Sequence, residues 1–390
     1  MVWLGFIVSL AGILLISKKN LALALISGAI LLGLLTLSPE MLLDRTVYTF
    51  TDSSIVLLAI AMGIIPLLGG TMKDSGQIDS LVENVRISRR YMLPFSAALM
   101  GLLPMPGGAL LSAPILEKAG EGVNDGLKAA INNWYRHLFI LIYPLGPALI
   151  ASAKICRLDV YHAIIYLLPG FFLAAILGYI FFLRKVNGKI EHKSSFSLIG
   201  LLVPLAVILS APILDFTLKR LLSLGSFATV IGVVTGLGLS IALSKKKLDI
   251  KKIILRMKPW NFALIIMGMF LYLHVFEASD ARNLIANLPL PPLLLAIVAG
   301  FLLALLTGRV QLPASIVFPV YLSATGDIHI YLFALIYIAI YFGYIISPVH
   351  PCLVVTCEYF KVPIRVMIGK LAAPTLAVFF AVLAVAIVLL

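Results

Sequence analysis

The sequence has 390 residues, of which 62% are hydrophobic and 12% charged, with a formal net charge of +13 and a mean hydropathy of +1.10. Soluble domains are roughly half apolar and carry about 25% charged residues, so a water-soluble fold is excluded. The basic residues stand in short clusters between apolar runs, as membrane topology signals do, and no nucleic-acid partner is expected. We therefore expect a multi-pass protein of the inner or plasma membrane, surrounded by lipids.

Ten apolar stretches are long enough, or nearly so, to cross a hydrocarbon core of about 30 Å. They lie at 2–16, 21–37, 54–72, 131–158, 160–183, 196–213, 225–243, 260–276, 330–357 and 368–390. The first stretch has no basic residue before it and has Lys18 and Lys19 after it. This is the reverse of a secretory signal peptide, so we expect a retained helix.

Two further apolar segments are interrupted near the middle, 91–118 by Pro104 to Gly108 and 290–322 by Thr307 to Pro313. The arms of the first segment, 13 and 11 residues long, would reach only about 16–20 Å, to the bilayer midplane and not across it. If both segments are re-entrant hairpins, 22 of the 30 Lys and Arg residues fall in loops on one side. The positive-inside rule favours this topology, which places both termini outside the cell.

Short motifs recur at a nearly constant offset. Met62-Gly63 recurs as Met267-Gly268, Pro114 as Pro319 and Pro169 as Pro374, each 205 residues later, and Pro144-Leu-Gly-Pro147 recurs as Pro348-Val-His-Pro351 after 204. Each half holds five spans and one hairpin, and because five is odd the second half enters the membrane from the opposite side. We predict an all-α fold of two inverted repeats, an arrangement on which alternating access commonly rests. The N-terminal repeat is 1–190, with hairpin 91–118 and broken helix 131–158, and the C-terminal repeat is 191–390, with hairpin 290–322 and broken helix 330–357.

Four pieces of non-helical backbone are expected to meet near the bilayer centre: Pro104 to Gly108, Pro144 to Pro147, Thr307 to Pro313 and Ser347 to Cys352. Proline removes backbone donors, and lipid cannot satisfy the groups that lose their partners. Inside the protein, half-helix N-termini can face an anion and freed carbonyls a cation. Simple proline kinks are the alternative, but kinks alone do not explain a recurrence in register.

Arg309 at the second hairpin tip and His350 in the second break are the sharpest individual candidates for the site. An Arg near the bilayer centre costs roughly 2.5–3.5 kcal/mol on insertion scales, and a substrate carboxylate or other oxyanion would offset that cost. For Arg309 the alternative is snorkelling or a bond to nearby carbonyls. For His350, proton coupling or substrate donation competes with a neutral ring bonded to freed backbone. Arg136 and His137, before the first break, are candidates for coupling or gating, and interface snorkelling explains Arg136 equally well.

The predicted substrate-binding set also includes residues around the four breaks, namely Pro106, Gly107, Gly108, Pro144, Gly146, Gln311, Ser315, Ser347 and Cys352. Hydroxyl side chains in such helices often bond their own backbone instead. Cys156, Cys352 and Cys357 form no CxxC and have no ligand spacing with His, so we expect no disulfide framework, no metal site and no cofactor. The sequence has no HExxH, no GxSxG and no paired aspartates, and an enzyme is not expected.

Several segments resemble an uncharacterised permease-like membrane family, domain of unknown function family 401. They are Met105-Pro-Gly-Gly-Ala109 with Ser112-Ala-Pro114, Asn133-Trp-Tyr-Arg-His137, and Ser347-Pro-Val-His-Pro-Cys-Leu353 with Glu358-Tyr-Phe360. The order of span, hairpin, broken helix and span is similar to the ion transporter superfamily, which includes gluconate permeases, arsenite permeases and divalent anion/sodium symporters. The resemblance covers essentially the whole chain. It implies that the hairpin tips and broken helices hold substrate and coupling ion.

The expected function is a secondary active transporter, or permease, that moves a small anionic organic or inorganic solute. The tip signature Ser-Asn-Thr of sodium-coupled dicarboxylate carriers is absent, so coupling to H⁺ or to Na⁺ stays open. A flippase or scramblase for lipid-linked substrates is the alternative on the same fold, and an ion channel or an intramembrane enzyme is less favoured. A homodimer is compatible with this fold.

Overall fold

The computed structural model describes residues 2–103, 108–188, 195–279 and 291–389, and every regular element among them is a helix. Seven helical stretches are long and apolar enough to cross a membrane: Ser53–Asp74, Asp125–Ile155, Val160–Leu183, Leu198–Leu222, Ile250–Ala278, Ile330–Tyr359 and Ile364–Val388. The other three predicted spans, 2–16, 21–37 and 225–243, form shorter apolar helices of 16 or 17 residues. The chain is thus a helical, membrane-embedded protein.

The described part of the first half contains ten α-helices. They are α1 (Val2–Ser17), α2 (Leu21–Thr36), α3 (Pro39–Thr51), α4 (Ser53–Asp74), α5 (Gln77–Asn84), α6 (Arg89–Gly101), α7 (Ala109–Ala119), α8 (Asp125–Leu138), α9 (Pro147–Ile155) and α10 (Val160–Gly178), the last continuing as a π-helical turn over Tyr179–Leu183.

The described part of the second half contains nine. They are α11 (Leu198–Leu222), α12 (Ser226–Ala242), α13 (Ile250–Met257), α14 (Pro259–Ala278), α15 (Pro292–Thr307), α16 (Gln311–Thr325), α17 (Ile330–Ile346), α18 (Pro351–Tyr359) and α19 (Ile364–Val388). The short helices α3, α5 and α13 are amphipathic and were not predicted as spans.

The helices of the two halves correspond in order and position. Helices α2, α4, α8 and α9 have counterparts α12, α14, α17 and α18, which begin 204 to 206 residues later. The hydrogen bonds after α9 and α18 also match, because Leu158 N–H donates to the Ala153 carbonyl at 2.8 Å and Val362 N–H donates to the Cys357 carbonyl at 2.9 Å. The residues before these two donors have positive φ angles of 56° and 52°. The same local chain path therefore recurs in both halves.

The two halves also pack against each other reciprocally. Helix α9 packs on α16 while α18 packs on α7, α2 packs on α14 while α12 packs on α4, and α10 packs on α17 while α19 packs on α8. Each contact between two helices thus occurs twice, and in the second copy the equivalent helices come from the opposite halves. The contact between the halves is therefore built from both hairpin regions and both broken helices.

Loops that the charge pattern assigns to one side contact each other. The contacts are Arg89 N–H to the Gly188 carbonyl at 3.3 Å, Ser197 N–H to the Asn84 side chain at 2.6 Å, and Arg256 to Asp74 at 2.8 Å. Two loops assigned to the other side are joined by an ion pair of Arg220 and Asp159 at 3.6 Å. The orientation of these two sides relative to the cell stays a prediction.

Prolines occupy equivalent positions in the two breaks. Tyr143 and Ser347 precede proline and have extended ψ angles of 117° and 128°, because a following proline disfavours the α region. The helices after the breaks begin with Pro147 and Pro351, at a position where no N–H is needed. Proline therefore sets the start of the second half-helix in both breaks, and in the second break it also sets the end of α17.

The first break is longer than predicted. Helix α8 ends at Leu138, and a single 3₁₀ turn, Ile140–Ile142, fills part of the gap before α9. The sequence pattern placed Arg136 and His137 seven to eight residues before the break, whereas the structure has both in the last turn of α8. Both side chains therefore lie directly beside non-helical backbone.

Helices α15 and α16 fold back on each other around Gly308 to Val310. A Cβ atom at Gly300 would lie 3.9 Å from Cγ1 of Val317, so residues on either side of the turn face each other. The non-helical stretch is shorter than the predicted interruption of Thr307 to Pro313 and is limited to this turn. Pro313 lies in the first turn of α16, where a proline costs no intrahelical hydrogen bond. Helices α6 and α7 also pack together.

Candidate solute-binding site

Polar side chains fill the last two turns of α8 and lie in the protein interior. Asn132 and Asn133 are 0% exposed, Arg136 3% and His137 1%. The Asn133 amide donates to the Ile345 carbonyl at 3.1 Å, which ties α8 to the second broken helix. The structure therefore places Arg136 inside the protein and not at its surface.

The Arg136 guanidinium is short of partners. Its Nε and Nη1 atoms are buried and have no hydrogen-bond partner among the described residues, and none of the ion pairs found among those residues involves it. Its Nη2 lies against Gly108, where an added Cβ would stand 2.1 Å away. Gly108 is the N-cap of α7, whose N-terminus adds partial positive charge. Guanidinium and helix end together give this buried region a positive potential that suits a carboxylate or oxyanion.

Two histidines meet beside this guanidinium. The rings of His137 and His350 are 4.6 Å apart between centroids, at an interplanar angle of 65°. Nδ1 of His137 lies 2.6 Å from the Asn133 carbonyl, whereas neither ring nitrogen of His350 has a partner of normal hydrogen-bond geometry among the described residues. The Tyr344 ring packs on the His350 ring, with the two ring centroids 4.0 Å apart. The pair is thus enclosed and only partly satisfied.

The second hairpin turn rests on the second break. Gly308 has a φ of 62°, and an added Cβ would lie 2.8 Å from the His350 backbone nitrogen, so only glycine fits. Arg309 is half-buried, and its Nη2 lies 3.5 Å from the Ser17 carbonyl at the end of α1. The Ser347 hydroxyl donates to a carbonyl of α15 at 2.6 Å. A contact of Arg309 with a solute stays a prediction.

The predicted site residues fall into two groups in the structure. The first is Gly108, Arg136, His137, His350 and Cys352, joined by the contacts above and by ligand atoms of the two histidines and the cysteine that all lie within 4.8 Å of one another. This group links the first hairpin, α8 and the second break.

The second group consists of residues in the first break and in α16, a helix that packs on α9. Pro144 and Gly146 form the first break, in which Gly146 N–H donates to the Tyr143 carbonyl at 2.8 Å. Gln311 and Ser315 are in α16, and the Ser315 hydroxyl donates to a carbonyl of its own helix at 2.8 Å. Pro106 and Gly107 lie outside the described residues.

Sequence reasoning missed two tyrosines of the site and the contact between Asn132 and Thr356. Tyr344 covers His350, the Tyr341 hydroxyl donates to the His137 carbonyl at 2.7 Å, and the Asn132 amide donates to the Thr356 hydroxyl at 3.1 Å. The two histidines are more than 200 residues apart in the chain, so ligand spacing gave no signal. Only the matching order of the two halves indicated that α8 and the second break meet.

A cavity of about 300 Å³ lies where α9, α14 and α16 end. The residues that line it are Ile155, Cys156, Arg157, Phe276, Glu277, Pro319, Leu322, Ser323, Gly326, Asp327 and Ile328. The charge pattern assigns this side to the cell exterior. The cavity therefore lies at the ends of helices from both halves, on the side predicted to be external.

The fold and this buried cationic site are those of a helical, membrane-embedded protein. Its polar centre lies between two halves whose helices match. The chain belongs to the family described as "Protein of unknown function (DUF401)", whose profile matches residues 3–390. The resemblance to this family is thereby confirmed, whereas the relation to the ion transporter superfamily stays a prediction. A search of curated proteins found no match to this chain.

Proposed function

We propose that the protein is a secondary transporter that carries a small anion across the membrane by alternating access, with Arg136 as the main ligand of the anion. The observation that carries the proposal is a guanidinium that is 3% exposed and has two nitrogens without a partner among the described residues. An unpaired buried charge is costly. A bound carboxylate or oxyanion offsets that cost, because charge-assisted hydrogen bonds to a planar guanidinium are strong and directional.

The proposal includes two inverted repeats, each with a re-entrant hairpin, and a relation to the ion transporter superfamily. The matching helix order, the equal chain path after α9 and α18, and the reciprocal packing of the halves support it. In such folds the solute lies between the repeats, at half-helix N-termini, and rocking of one part against the other alternates access. Arg136 fits this scheme, since it lies at the N-terminus of α7 and beside the second break.

In this conformation a cavity opens on the predicted outer side, and the anion site itself is buried. The cavity on the predicted outer side reaches from the loop ends down to Pro319 in α16, whereas the polar turns of α8 are closed over by protein. A carrier must close the solute site to at least one side at any time. The burial of Arg136, His137 and His350 is what an occluded or nearly occluded state requires. Coupling to H⁺ or Na⁺ belongs to the proposal.

Thermal unfolding of the purified protein tests the proposal against a panel of monocarboxylates, dicarboxylates, sulfate and phosphate, with chloride as the baseline. An anion present at a hundred times its dissociation constant adds about 2.7 kcal/mol to the free energy of unfolding. Anions that stabilise the protein should then enter proteoliposomes with saturable kinetics. A panel without any stabilising anion would contradict the anion site, and flux that rises linearly with concentration would favour a channel.

A further inference from the structure

We propose that His137, His350 and Cys352 form a binding site for a thiophilic transition-metal ion of the zinc class. This inference goes beyond the proposed anion transport and does not depend on it. One ring nitrogen from each histidine and the Cys352 Sγ all lie within 4.8 Å of one another. Both histidines are 1% exposed, and the cysteine is half-buried in the first turn of α18.

The spacing of the three ligand atoms is close to that of a tetrahedral site. With zinc–nitrogen and zinc–sulfur bonds of about 2.0–2.1 and 2.3 Å, ligand atoms in a tetrahedral site are about 3.3–3.6 Å apart. The separations of up to 4.8 Å found here require each side chain to move inward by about 1 Å or less.

His350 provides independent evidence for a missing ligand. Its two ring nitrogens are buried and have no partner of normal geometry among the described residues, and the Ile345 carbonyl near the ring is already bonded by the Asn133 amide. Buried polar atoms almost always have a partner, and leaving one unsatisfied costs about 1–3 kcal/mol. A metal ion would take one of these nitrogens. In that case His350 acts as a ligand, in place of the coupling proton carrier expected from the sequence.

His137 has the hydrogen bond that is typical of a metal-ligating histidine. Its Nδ1 lies 2.6 Å from the Asn133 carbonyl, which places the ring proton on Nδ1 and leaves the Nε2 lone pair free. Ligating histidines almost always donate their second ring nitrogen to a carbonyl or carboxylate, which fixes the tautomer and the ring orientation. The Asn133 amide bonds the Ile345 carbonyl on α17, so this orientation is anchored in both halves.

The ligand set selects the kind of ion. Imidazole and thiolate ligands suit zinc and copper, whereas magnesium and calcium require oxygen ligands. Binding releases the thiol proton of Cys352 to solvent, and the thiolate cancels one positive charge of the ion. Three protein ligands leave a fourth position for water or an anion. The nearby Arg136 guanidinium favours an anion there.

Cobalt titration of the purified full-length protein, stripped of metal by a chelator, tests the site. We expect one Co²⁺ per chain, a thiolate-to-cobalt charge-transfer band, and displacement of the Co²⁺ by Zn²⁺. Cys352→Ser should lose the charge-transfer band, and His350→Gln should weaken Co²⁺ binding at least tenfold. Cys357→Ser is the matched control, because it alters a buried cysteine of the same helix outside the cluster, and it should keep both the band and the affinity.

Maleimide labelling of Cys352 is a second test, which does not require that the ligand variants fold. In a protein with Cys156→Ser and Cys357→Ser, Zn²⁺ should slow the labelling of Cys352 by a maleimide at least tenfold. Equal labelling rates with and without Zn²⁺, or a charge-transfer band that survives Cys352→Ser, would overturn the proposal. Arg136→Gln separates it from the transport proposal, because that variant should lose anion binding and keep Co²⁺ binding.

Discussion

Replacing Arg136 by Gln separates a binding role from a structural role, because the two roles change stability in opposite directions. Without an anion, the variant removes a buried charge that has no carboxylate among the described ion-pair partners. A charge near the bilayer centre costs roughly 2.5–3.5 kcal/mol on insertion scales. We therefore expect the empty variant to be at least as stable as the wild-type protein. A guanidinium that mainly holds the fold together would give a less stable variant.

With an anion bound, the same substitution should lower stability relative to the wild type. A hydrogen bond to a charged group contributes about 1.5–3 kcal/mol, and a loss of about 2 kcal/mol raises the dissociation constant about thirtyfold. At a concentration where the wild type gains about 2.7 kcal/mol, the variant then gains only about 0.9 kcal/mol. Thermal unfolding of both purified proteins, with and without the anion, measures this difference.

Two further variants complete this experiment. Arg136→Lys should restore only part of the anion-induced shift, because an ammonium group cannot form the planar fork of a guanidinium. Arg45→Gln should retain the full shift, because the Arg45 side chain is 42% exposed and lies beside Asp44. An Arg136→Gln protein that keeps the full anion-induced shift, or that unfolds far below the wild type when empty, would refute the reasoning.

Three other experiments examine the topology, the contact with the first hairpin, and the second break. A cysteine at Lys247 should react with a membrane-impermeant reagent only from the cytoplasmic side, since basic loops face the cytoplasm; labelling only from outside would overturn the two-hairpin topology. Gly108→Ala should remove most of the anion-induced thermal shift, because its Cβ would stand 2.1 Å from the Arg136 guanidinium, whereas Gly238→Ala, with nothing within 4 Å, should keep it. Ser347→Ala, which loses the bond to α15, should lower the free energy of unfolding by about 1 kcal/mol, and equal thermal stability of Ser347→Ala and Ser315→Ala would contradict that role.

Much of the architecture could be predicted because membrane insertion and proline act locally. Apolar length located the spans, and the prolines at 144 and 348 located both breaks, since the residue before a proline avoids the helical region. The recurring motifs at 204 and 205 residues anticipated the correspondence of the helices. Each of these signals depends on residues that are close in the chain or on a constant offset.

The centre of the site could not be predicted from these local signals. Asn132 to His137 looks like an interface belt in the sequence, and only its packing against Gly108 and Ile345 shows that it is interior. The first break also begins earlier than its prolines indicate, which brings Arg136 to the end of α8. The meeting of His137 with His350 depends on the contact between the two halves. Such contacts are tertiary, and a single sequence gives no local signal for them.

Counterflow into proteoliposomes tests the transporter proposal most directly. Vesicles that contain purified protein are loaded with an anion chosen by the thermal-unfolding panel, and labelled anion is added outside. A carrier with a single alternating site should accumulate label transiently above equilibrium, with saturable kinetics, and Arg136→Gln should accumulate much less. Label that never exceeds equilibrium, or accumulation that is unchanged in Arg136→Gln, would contradict a carrier whose anion site is built on Arg136.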